Sequence, residues 1–315
     1  MASIAYMTDQ KMIEFHRLNG NHEINFWKPS ALKRMVDFDK GDFLFFLAKG
    51  TERGKDREKG IVGYGRLHTM SEMNLDQMWN RYKRKNGFED KEQLIEAIRR
   101  ITKNHQLPDK VSCMELQNVV FFQHPIYLSE IGVHISNKIE SFFYLDKGHF
   151  DTTSKILKLA NEIGVDLWSV IQSEETITTD FTKDALIQIA ENITDKLESY
   201  PYSTYETQRI HRYIEKLRKE DSSIQLMGRS KTSYHKIVDK NLTIYVVCMV
   251  NTLDFMKKFQ FMIGYVKVYE GYIRRSEGKN RIKVVLIFNR QVSQELKEVL
   301  DQIGILYEER LVQED

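Results

Sequence analysis

The sequence predicts two successive mixed units: a small α+β, barrel-like domain, then an α/β domain with a mixed sheet. Three observations predict this. Aromatic-rich apolar runs at Phe43–Leu47 and Ile61–Leu67 flank a polar segment holding Gly50, Gly54 and Gly60, the pattern of two strands joined by a solvated loop. Apolar runs at Leu242–Val250 and Arg281–Phe288 read as buried strands, with a helical stretch at Phe255–Tyr272 between them as a crossover. The chain has 315 residues and is 41% hydrophobic, enough for two domains with their own cores.

Taken in order, residues 1–24 carry little beyond a strand or helix at Lys11–Leu18. Pro29 fixes its own φ and pushes Lys28 toward extended backbone, so Asn25-Phe26-Trp27 sits on a constrained segment. Ser30 caps a short helix, and Lys40-Gly41-Asp42 turns into the first strand. Thr51–Gly60 reads as a mobile loop with Arg53, Lys55, Arg57 and Lys59 among acids and glycines. Gly63 and Gly65 inside a strand mark a bulge or a close approach of ligand or backbone. Met73–Lys85 and Lys91–Thr102 are helices, the first ending in a basic turn before Gly87. Met114–Phe122 and Ser141–Leu145 are strands. Helices follow at Phe150–Ile163, Asp184–Glu198 and Tyr205–Lys219, then a strand at Ile224–Gly228. After the two buried strands come a helix at Ser293–Ile303 and a terminal strand at Ile305–Leu311. The expected domains are 1–149, a helical connector 150–203, and 204–315.

Charged residues make up 29% of the chain with a formal net charge of +2, so a nucleic-acid surface must be a local patch. The two cysteines are too few for a zinc cluster and too isolated for a disulfide framework. No apolar run reaches membrane-spanning length and no signal pattern opens the chain, which predicts a cytoplasmic protein without a membrane partner. Phosphate-binding, dinucleotide and zinc-protease motifs are absent.

The run NFWKPS, then GDFLFF, IVGYG, the Trp79-to-Gly87 pattern W-x-x-Y-x-x-K-N-G, and Cys113 to Phe122, together resemble the PUA-like superfamily of EVE-type domains over about residues 20–145. The resemblance implies a PUA-like barrel whose pocket takes in one flipped, often modified, base. It makes Asn25, Trp27 and Tyr64 base-binding candidates. The basic run Arg81, Lys83, Arg84 and Lys85 becomes a candidate phosphate contact.

The helix–strands–helix–strand order over about residues 204–311 is similar to the PD-(D/E)XK, restriction-endonuclease-like fold. That site needs carboxylates to hold Mg²⁺ and a lysine beside them. Here Cys248 and Val250 occupy the matching strand positions, and Asp239 is the nearest acid, with Glu206 and Glu215 on the preceding helix. The expectation is a scaffold without the standard metal site and without a cofactor. The rival is a Mg²⁺-dependent nuclease using Asp239 with Glu206 or Glu215. Lys231, Lys236, Lys257 and Lys258 could form a basic face. The resemblances imply a nucleic-acid-binding protein, DNA before RNA, acting in defence against foreign DNA, with a protein partner or a second copy of itself. The remaining alternative is a non-enzymatic subunit or inhibitor of a larger complex.

Overall fold

The computed structural model describes residues 2–29, 35, 37–102, 105–135, 139, 141–171, 180–197, 202–228, 230–276 and 278–311. The helix expected after Ser30 lies outside them. Backbone contacts divide the chain into two units, Met1–Phe181 and Thr182–Asp315. That boundary falls inside the segment read as a connector.

The first unit is built on a six-stranded mixed sheet. Its strands are β1 (Ser3–Thr8), β2 (Ile24–Lys28), β3 (Phe43–Ala48), β4 (Ile61–Met73), β5 (Val111–Ile126) and β6 (Phe142–Tyr144), in the order β2-β5-β4-β3-β1-β6. β1, which the sequence did not announce, lies parallel to β3 in the interior of the sheet. The sheet curls until Tyr6 of β1 meets Phe26 of β2, ring centroids 4.9 Å apart, although four strand steps separate them in the hydrogen-bonded order. Strand alternation then sorts the side chains. Leu44 and Phe46 face the enclosed core with Ile4, Tyr6, Phe26, Met114 and Leu116, and α1 (Gln10–Leu18) adds Met12 and Ile13 to it.

The outer face is covered in two places. Over β2 and β5 lie α2 (Leu75–Tyr82), a 3-10 turn at Lys83–Asn86 and α3 (Lys91–Ile101), which bury Met78, Tyr82, Leu94 and Ile98 against Val111 and Cys113. Farther along, Phe43, Phe45 and Tyr64 pack with Phe122 and Phe181. α4 (Thr152–Ile163) buries Ile156, Leu157 and Ala160, and the short α5 (Leu167–Ile171) follows. Asn74 and Asp90 cap α2 and α3 through their side chains.

The second unit begins within α6 (Phe181–Lys196). α7 (Thr204–Glu220) precedes a five-stranded sheet of β7 (Gln225–Leu226), β8 (Ser233–Val238), β9 (Asn241–Cys248), β10 (Ile282–Phe288) and β11 (Leu306–Glu309), in the order β11-β10-β9-β8-β7. β7, β8 and β9 form an antiparallel meander; β10 and β11 join parallel through α8 (Phe255–Arg274) and α9 (Gln294–Gln302). Mixed sheet and crossover helices are therefore as the apolar runs predict. β8 is the exception: Ser233-Tyr234-His235-Lys236 reads as loop by composition, yet Ser233, Tyr234 and His235 are all buried. No helix among the described residues is long and apolar enough to cross a membrane.

Candidate nucleic-acid interface

The three residues expected to form a base pocket do not share one. Tyr64 is 2% exposed and ringed by Phe43, Phe45, Phe122 and Phe181, so no base can reach either of its faces. Its flanking glycines answer to β5 instead, Gly63 to its backbone and Gly65 to the side chains of Leu116 and Val119. A Cβ at Gly63 would stand 2.3 Å from the Val120 carbonyl oxygen, where β4 and β5 run close between register shifts. Asn25 is fully buried; its Nδ2 donates to Asn86 Oδ1 at 2.8 Å. Asn86 Nδ2 in turn donates to the Lys83 carbonyl at 2.8 Å, and Trp27 Nε1 donates to the Asn86 carbonyl at 2.9 Å. Asn25, Trp27 and Asn86 thus latch the 3-10 turn onto the edge strand β2, and Trp27 is half-buried against Phe88. Asn25 and Trp27 of the first motif meet Asn86 of the K-N-G run in an architectural contact.

The same latch governs the basic run that ends α2. Arg81 Nη2 lies 3.0 Å from Glu115, which also accepts from Tyr82 Oη at 3.2 Å. Arg84 pairs with Glu89 at 2.7 Å and donates to Asn19, while Lys85 pairs with Glu23. The Lys85 hydrogen bond holds the Glu23 carboxyl below its usual range, against the opposing effect of burial. Lys83 alone of the four is exposed without an ion pair among the described residues. Neutralised cations release few counterions and bind phosphate weakly.

The candidates in the second unit are likewise committed. Lys258 is 9% exposed and pairs with Glu206, whose carboxylate also accepts from the Ser203 amide and hydroxyl at the head of α7. Burial alone would raise the Glu206 carboxyl, but Lys258 and Ser203 outweigh it and hold it low. Lys236 pairs with Asp221 at 2.7 Å, and Lys257 stands 3.8 Å from Asp254. Lys231 is exposed without an ion pair among the described residues.

The carboxylates proposed for a metal site do not converge. Asp239 and Lys240, both at positive φ (50° and 64°), form the two-residue turn between β8 and β9, a type I′ geometry. Tyr202, one turn before Glu206, hydrogen-bonds the Val247 carbonyl at the far end of β9. Asp239 and Glu206 are thus separated by nearly the length of β9, roughly 20 Å at about 3.3 Å per residue. Glu215 pairs with its helix neighbour Arg218 at 2.7 Å. Among the described residues no three His, Cys, Asp or Glu side chains gather, so these groups do not fit Mg²⁺. Cys248, where an acid would stand, is buried, and that burial pushes its thiol up to about 12.

The open cations of the first unit lie where the sequence suggested only a mobile loop. Residues 49–60 fold back as an extension of the β3–β4 hairpin, with Arg53 and Glu58 bridged backbone to backbone. Two of its three acids are held by hydrogen bonds. Glu52 accepts from the Gly50 amide at 2.8 Å, and Glu58 takes the amide and hydroxyl of Ser129 at 2.8 and 2.6 Å. Arg53 is held by Glu130 at 2.7 Å and Glu58 at 3.6 Å. Lys55, Arg57 and Lys59 carry no ion pair among the described residues, and Lys55 and Arg57 are exposed. Beside them opens a cleft of about 500 Å³ lined by Arg53, Lys55, Asp56, Glu58, Ser129 and His134, within the size range of ligand sites. Tyr127 lies under Arg53, its hydroxyl donating to the Thr51 carbonyl at 2.8 Å. Gly60 permits this packing, since a Cβ there would stand 2.5 Å from Pro125.

No protein-family model matches the chain, and no curated protein matches it. Among solved structures it is similar to the ASCH protein of Zymomonas mobilis and to two single-residue variants of that protein. Identity is 14–15% and the TM-score 0.35, over 50% of this chain and 94–97% of theirs. A likeness at that level carries no argument, and the reading below rests on the chain's own geometry.

Proposed function

We propose that the first unit binds the backbone of a nucleic acid along the β3–β4 hairpin and its adjoining cleft. One observation carries the reading: Lys55, Arg57 and Lys59 have no close ion pair among the described residues, while Glu58 is tied to Ser129 and Arg53 and Glu52, which feels Arg57 and Lys59 only electrostatically, is hydrogen-bonded by the Gly50 amide. A phosphodiester strand is the ligand that a row of open cations beside a polar cleft fits best. DNA over RNA, and a role against foreign DNA, form the finer part of the proposal and are supported by the motif resemblance alone. Strand cleavage draws no support from Asp239, Glu206 or Glu215 as they are placed.

The test is fluorescence anisotropy with labelled DNA and RNA oligonucleotides between 50 and 200 mM salt. Three to four phosphate contacts predict a fall in affinity on the order of 30-fold or more across that range. Binding that ignores salt, or occurs only with protein partners, would favour the subunit or inhibitor reading instead.

A further inference from the structure

We infer that the cleft beside the hairpin takes one unpaired nucleotide, its base stacked on the guanidinium plane of Arg53; the inference rests on the backbone-binding reading above. Arg53 has its charge paired and two of its five N–H donors engaged. Nη1 donates to Glu130 at 2.7 Å, Nη2 to Ser129 Oγ at 3.2 Å, and Nε faces Glu58 at 3.6 Å. One face of the plane lies on Tyr127, 3.4 Å from the ring centroid. The side chain is nevertheless 41% exposed and lines the cleft. With the edges bound and one face covered, the open surface is the opposite face, a rigid flat platform. Two carboxylates already neutralise it, so it is a poor phosphate ligand.

Such a plane receives an aromatic ring, and bases stack readily on arginine planes when they are not stacked on each other. In a duplex both faces of every internal base are occupied, so the platform selects single strands or splayed nucleotides. Lys55, unpaired on the same cleft, is placed for the adjoining phosphate. Glu130 fixes the platform from two sides: its Oε2 accepts from the Tyr127 amide at 3.1 Å while Oε1 holds Arg53.

The experiment uses the full chain and three probes of equal charge per strand: a single-stranded 12-mer, the same strand with six central abasic sites, and the 12-bp duplex. Wild type should bind the intact single strand about tenfold tighter than the abasic one, the loss of a stacked base with every phosphate retained. It should also prefer the single strand to the duplex. Arg53→Lys, which keeps the charge and removes the plane, should erase the difference between intact and abasic strands. The abasic comparison needs no variant, so it decides the matter even if Arg53→Lys disturbs the hairpin. Equal, salt-sensitive binding of all three probes would overturn the stacked base and leave the backbone reading standing. No binding to any probe would overturn both.

Discussion

Two basic stretches of the first unit look alike as text and differ in what they can do. Arg81-Tyr82-Lys83-Arg84-Lys85 is the denser, yet Arg81, Arg84 and Lys85 each face a carboxylate supplied from β5, from the segment after the 3-10 turn, or from the start of β2. Lys55, Arg57 and Lys59 sit among more acids in sequence, but Glu52 and Glu58 are engaged by the Gly50 amide and by Ser129. The number of cations in a window therefore says little about phosphate binding. What decides is whether tertiary structure delivers a counter-charge, and that information lies tens of residues away in the chain.

Predictions that stress this contrast between committed and open charge begin with Lys258 and Glu206. Removing one partner of this buried pair, as in Lys258→Met or Glu206→Gln, should cost about 3–5 kcal/mol, while the double change should cost less than the sum. Thermal or urea melts of the four proteins check it. Purely additive costs would mean the two groups act independently.

Next in size is the latch. Asn86→Ala deletes two hydrogen bonds and strands the buried amide of Asn25, for an expected loss of about 2–3 kcal/mol in the first unit. Urea midpoints would show it, with oligonucleotide affinity of the folded protein unchanged. A selective loss of affinity would return Asn25 to the role of ligand contact.

Acid should weaken both units. Burial pushes His16 down to about 3, beside Gly87 and the 3-10 turn, and pushes His235 down to about 4 with Lys183 adding to the effect. Both are depressed from 6.5, so the unfolded chain binds the extra proton between those values. Stability is complete above pH 6.5 and falls by about 1.4 kcal/mol per pH unit for each histidine as pH drops toward 4. His16→Leu should flatten the contribution of the first unit; an unchanged slope would mean His16 does not titrate on unfolding.

Much of the fold was legible because apolar periodicity is local. β3, β4, β9 and β10, and helices α2, α3, α7 and α8, fall near the expected positions. β1 and β8 escaped because interior position, not composition, makes them strands: Ser3, Ser233 and His235 are polar residues that the sheets bury. The site was less legible. Asn25 and Trp27 stood out as base-binding candidates, but the partner they hydrogen-bond, Asn86, lies about 60 residues on. Tyr64 looked accessible between glycines until β5 closed over them. Arg53 was visible only as one charge in a loop; its plane emerges when Tyr127, Ser129 and Glu130 arrive from beyond β5.

The most direct test of the central claim sets two charge-matched variants side by side. One carries Lys55→Ala, Arg57→Ala and Lys59→Ala; the other carries Arg81→Ala, Arg84→Ala and Lys85→Ala; each loses three cations. The slope of log affinity against log salt is measured for both with the same single-stranded oligonucleotide. The hairpin variant should lose about 10- to 100-fold in affinity, with a slope smaller by about 2, while the helix-exit variant stays within about threefold of wild type. Equal losses, or a larger loss from the helix-exit variant, would contradict the claim that open rather than paired cations make the interface.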